Sequence, residues 1–231
     1  MQIIEPHKIR AVSFDAAGTL IHLAEEVGVL YARVALRHGI AADPALLNDA
    51  FRTVWKRTHP AFSEDSPIAD VHEKAWWARL VREVFHEAGS TIFGDELFDE
   101  FFDALYRHFE EPGTWLPVPG AREVVEAVAR RHRCIVLSNF DTRLRRILAD
   151  MDLLTPFEAL FLSSEFRLSK PDHRLFARVS EALDIPPPQI LHVGDDPLCD
   201  WAGAEAAGFQ HFRVGRGQRN ISELLSELSL A

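Results

Sequence analysis

The run from Ile9 to Phe14, short, apolar and partly β-branched, stops abruptly at Asp15 and turns into Ala16-Ala17-Gly18-Thr19-Leu20. Such a run closed by a turn signal predicts a strand buried on both faces, the type found in parallel sheets covered by helices. Parallel strands need crossover connections, and open α/β sheets place their chemistry just past the carboxyl ends of their strands. Asp15 would then stand at the mouth of the sheet as a nucleophile or metal ligand, followed by small residues that let backbone approach a ligand closely. Taken alone, the stretch reads equally as an ordinary turn in which Asp15 caps nearby N–H groups.

After Leu20 the pattern becomes helical. Amphipathic helices are predicted over 27–39, ended by Gly39, over 43–58, opened by Asp43-Pro44, and over 70–88 and 94–110. Trp76, Trp77, Phe98, Phe101 and Phe102 recur at helical spacing, which assigns them to a core rather than to a ligand cage. The Pro- and Gly-rich stretch 111–120 reads as a linker returning from a helical insertion. Helices and strands then alternate: helix 121–131, strand 133–137 ending at Ser138-Asn139, helix 142–151, strand 159–162, then Ser169-Lys170-Pro171. Helix 172–184 leads to strand 190–193, which ends at Gly194-Asp195-Asp196, and helix 200–207, strand 209–214 and a short C-terminal helix follow. Alternation of this kind predicts an α/β fold with a doubly wound parallel sheet.

A chain of 231 residues can bury such a core together with an inserted domain. Its 35 acidic against 25 basic side chains, a formal charge of -10, argue against a surface adapted to nucleic acid or to an anionic membrane. No apolar run approaches the ~20 residues of a membrane span, and the first residues carry no signal pattern. Cys134 and Cys199 show no paired spacing, which points to a reducing compartment, so the expected localisation is cytoplasmic.

Three predicted strands end in polar residues suited to one site: Asp15, Ser138-Asn139, and Asp195-Asp196 with Asp200, while Lys170 follows a fourth apolar segment. Carboxylates gathered at one edge repel each other and need a cation or protons to coexist. An all-oxygen set points to Mg²⁺, and no His/Cys spacing suits zinc. A nearby ammonium would offset the charge of carboxylates and a phosphate, and the Ser138 hydroxyl with the N–H groups of its turn could bind phosphate oxygens.

In this order, Phe14-Asp15-Ala16-Ala17-Gly18-Thr19-Leu20, Leu137-Ser138-Asn139, Ser169-Lys170-Pro171-Asp172, and Gly194-Asp195-Asp196 with Asp200, Gly203-Ala204 and Ala207-Gly208 resemble the four motifs of the haloacid dehalogenase-like (HAD-like) hydrolase superfamily. The first motif with Val27-Gly28 and Tyr31 is similar to the rhythmically-expressed-gene-2-like subgroup. The resemblance implies a Rossmann-like core at 1–22 and 113–231 and an α-helical cap at 23–112. It implies Asp15 as the nucleophile of a covalent aspartyl intermediate, Ser138 as the phosphoryl-binding residue supported by Asn139, and Lys170 as the lysine that orients Asp15 and neutralises charge. Mg²⁺ would be held by Asp15, the backbone carbonyl of Ala17 and Asp195, with Asp196 and Asp200 as outer-shell or helix-capping carboxylates. The implied partner is a small phosphorylated molecule; the oligomeric state is not specified.

One position departs from the pattern. The family's phosphatases carry an aspartate two residues after the nucleophile, which protonates the leaving group and then activates water; here that residue is Ala17. His22, Glu25 and Glu26 lie just downstream as substitutes, though an exposed loop is the favoured reading for them. A substrate with a good leaving group, such as an acyl phosphate, would need the acid less. The alternatives are a fold that kept a ligand- or partner-binding role without turnover, and carbon–halogen or carbon–phosphorus cleavage. The dehalogenases lack a Gly-Asp-Asp of this kind. Phosphonoacetaldehyde hydrolase-like members share the alanine but use a cap lysine, for which only Lys56 and Lys74 are on offer.

Overall fold

The structure, a computed structural model, describes residues 4–58, 69–90 and 94–230. In chain order its elements are β1 (Ala11–Phe14), β2 (Ile21–Leu23), α1 (Val27–Arg37), α2 (Pro44–Arg57), α3 (Ala69–Glu87), α4 (Asp95–His108) and β3 (Trp115–Pro117). There follow α5 (Ala121–Ala129), β4 (Arg133–Ser138), α6 (Arg143–Asp150), β5 (Ala159–Leu162), α7 (Ser163–Phe166) and α8 (His173–Leu183). The chain ends with β6 (Ile190–Gly194), a π-helical turn (Pro197–Ala202) running into α9 (Gly203–Ala206), β7 (Gln210–Arg213) and α10 (Glu223–Glu227). Two compact units result: Met1–His22 with Leu116–Ala231, and the described part of residues 23–115.

In the first unit the strands form a five-stranded sheet in the order β5-β4-β1-β6-β7, parallel throughout. Side chains alternate across a strand. Ala11, Ile135, Leu137 and Ile190 pack with Leu175, Phe176 and Val179 of α8. Val12, Phe14, Val136 and Leu191, of the opposite parity, are fully buried as well, and α5 packs against β4. Burial on both faces is the reason these strands read as continuous apolar runs. Phe14 lies level with Val136 of β4 and Val193 of β6, so the residues that follow these three strands open on one edge of the sheet.

The second unit is helical. α1, α2, α3 and α4 bury a common core that includes Tyr31, Val34, Leu47, Val54, Leu80, Phe85, Phe98 and Phe101. Tyr31 and Phe85 stack with ring centroids 6.2 Å apart, and Phe85 meets Phe101 edge-on at 5.2 Å. Asp43 opens α2 by accepting the Ala45 N–H at 2.7 Å, ahead of Pro44 at the first helical position.

Two local expectations need correction. The stretch 111–120 is not only a linker: β3 lies within it and forms a separate two-stranded sheet with β2. A three-residue strand that ends on Pro117 is too short to show alternation, and Pro is tolerated at such an edge. The helix expected from residue 200 begins earlier, as a π-helical turn at Pro197. Its opening signal is Asp196, whose Oδ1 accepts the N–H groups of Leu198 at 2.8 Å and Cys199 at 2.7 Å.

Candidate active site

β1 delivers Asp15 to the carboxyl edge of the sheet, where its N–H donates to the Val193 carbonyl at 2.9 Å. Oδ1 of Asp15 accepts the Lys170 ammonium at 2.7 Å and the Ser138 hydroxyl at 2.9 Å. Among the described residues no donor reaches Oδ2. Lys170, itself buried, also donates to Asp200 Oδ1 at 2.5 Å, so one ammonium bridges two carboxylates. Asp200 accepts further N–H groups from His192 Nε2 at 3.0 Å and from the Asp196 backbone at 2.9 Å. Asp195 completes the group: oxygens of Asp15, Asp195 and Asp200 lie within 4.8 Å of one another.

Two glycines make room for these carboxylates. At Gly18, with φ +94°, a Cβ would overlap the Asp195 carboxylate, and at Gly194 it would overlap that of Asp200. Only a residue without a side chain lets the strand-end backbone approach so closely.

Burial raises the pKa of Asp15, and Lys170 offsets only part of that effect. Asp195 is pushed up to about 7 by burial and by the charges of Asp15 and Asp200. Burial also acts to raise Asp200, but Lys170 and His192 outweigh it and hold that carboxyl well below its usual range. For Lys170 burial works against the charged form, and the Asp15 and Asp200 carboxylates more than reverse it. Three ionised carboxylates against one ammonium would leave two negative charges in excess, and Asp15 and Asp195 are the two that their surroundings disfavour as anions. A divalent cation fits that balance. The donor set is all oxygen, which suits a hard ion. Asp200 is already satisfied by three donors, so Asp15 and Asp195 are the carboxylates left to coordinate such an ion.

The remaining predicted positions lie around this centre in different ways. Asn139 spends its amide on the Lys170 backbone, donating to its carbonyl at 2.9 Å and accepting its N–H at 2.8 Å. Asp196 directs its carboxylate at the π-helical turn it caps. Ala17 is exposed in the turn after Asp15. Of its downstream neighbours, Glu25 is paired with Arg33, Glu26 accepts from Asn48, and His22 is exposed on β2. Lys74 is held by Asp103 at 2.8 Å and lies over the Tyr106 ring, and Lys56 is exposed on α2.

Sequence reasoning missed two residues. Ser13 and His192 are register partners on β1 and β6, both fully buried, and the Ser13 hydroxyl meets His192 Nδ1 at 2.7 Å. A signal existed: each is the one polar residue inside an apolar strand.

Known proteins resemble this chain in sequence and in fold. The haloacid dehalogenase-like hydrolase family model matches residues 9–208. Haloacid dehalogenase-like hydrolase domain-containing protein 3 of Homo sapiens is 31% identical over 208 residues, covering 90% of this chain and 82% of that protein. The rhythmically expressed gene 2 protein of Drosophila melanogaster is 26% identical over 213 residues, covering 87% and 81%. Among solved structures, the putative HAD-hydrolase YfnB from Bacillus subtilis bound to magnesium superimposes with a TM-score of 0.72 over 96% of this chain and 99% of that one, at 18% identity, a likeness of fold. With the sheet order, the strand-end acids and the family match in agreement, the chain belongs to the haloacid dehalogenase-like hydrolase family.

Proposed function

We propose that the protein is a Mg²⁺-dependent hydrolase that removes phosphate from a small phosphorylated metabolite through an aspartyl-phosphate on Asp15. The observation that carries this reading is the Lys170 ammonium bridging Asp15 and Asp200, with Ser138 on the same oxygen of Asp15. Those donors orient the carboxylate and leave Oδ2 free as the attacking atom. Oδ2 forms a bond to phosphorus as the bond to the leaving oxygen breaks; water then displaces Asp15 from phosphorus, releasing inorganic phosphate and the free carboxylate. Lys170 and Ser138 are the donors placed to meet charge on the transferring group. Asp15 and Asp195, with the Ala17 carbonyl, would hold Mg²⁺, which when bound supplies neutralising charge for the phosphoryl oxygens. The magnesium of the similar Bacillus subtilis structure supports that choice of ion. The helical unit is read as the cap, and its side chains as the source of substrate selection.

Ala17 shapes the substrate. With no proton donor at that position, the leaving group must depart as an anion, which favours acyl and aryl phosphates over alkyl ones. The test is phosphate release from acetyl phosphate, p-nitrophenyl phosphate and a metabolite panel, with Mg²⁺ and with chelator. Turnover should require the metal and vanish in Asp15→Asn; release that survives either change would sink the reading.

The same alanine, together with Glu25 and Glu26 being engaged by Arg33 and Asn48, favours a second reading: a ligand-binding protein that kept the fold without turnover. In that case Mg²⁺ and phosphate raise the melting temperature, as any ligand of the folded state does, while no substrate is consumed.

A further inference from the structure

Behind the candidate site lies a polar pair in a place where the fold alone asks for apolar side chains. Ser13 and His192 sit side by side on the face of the sheet covered by α8, and Phe176 meets the imidazole edge-on at 5.6 Å. Burying a hydroxyl and an imidazole costs stability unless both are hydrogen-bonded. Here both are, and the bonds run in one direction. The Asp200 carboxylate only accepts, so His192 Nε2 carries the hydrogen of their 3.0 Å contact. In the neutral ring Nδ1 then holds the lone pair and takes the hydrogen of the Ser13 hydroxyl at 2.7 Å. Ser13 therefore donates to His192 and His192 to Asp200. The same Asp200 oxygen accepts Lys170, whose ammonium reaches Asp15.

We propose that His192, set by Ser13, is a positioning residue for the Asp15–Lys170 pair: it holds the Asp200 carboxylate in the one orientation that keeps the Lys170 ammonium against Asp15. The proposal rests on the reading of Asp15 as nucleophile. Asp200 has a backbone donor on Oδ2, from Asp196, but on Oδ1 only His192 competes with Lys170. Without the imidazole, Oδ1 keeps the ammonium as its sole partner. The carboxylate, then pinned only by the Asp196 N–H on Oδ2, can turn about its own Cβ–Cγ bond, and the ammonium can follow it away from Asp15. A buried ammonium between two carboxylates has no solvent to restore its position. His192 touches no reacting atom; its effect passes through Asp200.

Two measurements separate this role from packing. The chain has four lysines, of which Lys170 is the buried one, so selective ¹⁵N labelling of lysine reads its ammonium directly, with or without turnover. His192→Leu should shift or broaden the Lys170 signal, whereas His192→Gln, whose amide N–H can reach Asp200, should leave it near the parent position. With p-nitrophenyl phosphate and Mg²⁺, His192→Leu should lower kcat by about 10–100-fold with KM changed less than about 3-fold. His192→Gln should stay within about 5-fold, and Ser13→Ala should fall between the two. Melting curves identify any variant that fails to fold, and Ser13→Ala with His192→Gln keep the comparison available if His192→Leu is lost. An unmoved Lys170 signal in folded His192→Leu, or a His192→Gln as impaired as His192→Leu, would overturn the proposal. If the parent protein turns over no phosphate ester, the functional reading fails while the lysine signal still decides the role of His192.

Discussion

At the scale of single residues, the proposed chemistry turns on Asp15 and Ala17. Asp15 is oriented by two donors on one oxygen, whereas Ala17 offers an exposed methyl group two residues later. A proton-transferring side chain is worth ~10²–10⁴-fold where the leaving group needs one. Ala17→Asp should therefore raise turnover of an alkyl phosphate such as glycerol 3-phosphate by at least ~10²-fold, and that of p-nitrophenyl phosphate by much less. Kinetics on the two substrates side by side check this; equal gains on both would show that leaving-group protonation is not what the alanine removes.

At the scale of elements, the site depends on short connections pinned by side chains. Asn139, just past β4, binds the Lys170 backbone at both its N–H and its carbonyl. It thereby fixes the loop that carries the ammonium, in a segment with no regular structure of its own. Losing two part-buried bonds of this kind costs ~1–3 kcal/mol. Asn139→Ala should lower the stability found by denaturant unfolding by that amount and reduce kcat with it; a loss under ~0.5 kcal/mol would mean that the loop is held by other contacts. The π-helical turn acts in a similar way. Asp196 caps it from outside, and its backbone N–H meets Asp200, which lies one turn later and faces inward. Two acids four residues apart thus have unlike tasks: Asp196 caps the turn and Asp200 joins the buried hydrogen bonds of Lys170 and His192.

At the scale of the whole molecule, the acidic balance of -10 coexists with two histidines shielded from solvent, His132 half-buried and His211 buried. Burial lowers the pKa of His132 and of His211; at the first the Ile9 carbonyl opposes the effect and Arg131 adds to it, and at the second Arg213, with His192 and Arg219, adds to it and Glu205 opposes it. His132 Nδ1 meets the Ile9 carbonyl at 3.1 Å, and Arg213 Nε donates to His211 Nε2 at 3.0 Å, a bond that needs the neutral ring. With folded pKa values below the ordinary 6.5, the unfolded chain binds these protons more readily. Their contribution to stability is complete above about pH 6.5 and is lost as pH falls through the folded values. Denaturant unfolding at about pH 7.5 and about 5.5 should show a larger drop for the parent than for His132→Gln/His211→Gln. Equal drops would remove these two rings as the source.

The sheet, the helical insertion and the strand-end acids were legible in the amino acids because each leaves a local trace: apolar runs of strand length, helical spacing, and Gly or Asp where a run stops. Asp15, Ser138, Lys170 and Asp195 could be marked as neighbours because parallel strands open on one edge. The pairing of β2 with β3 left no such trace, since three residues carry no period. Nor could sequence tell that Asn139 serves the Lys170 backbone, that Asp196 caps while Asp200 points inward, or that Ser13 reaches His192 across 179 residues of chain. Those facts depend on register and on which side of a turn a carboxylate faces. Both are set when distant segments pack, because a hydrogen bond between buried side chains is specified by geometry in space and not by order along the chain.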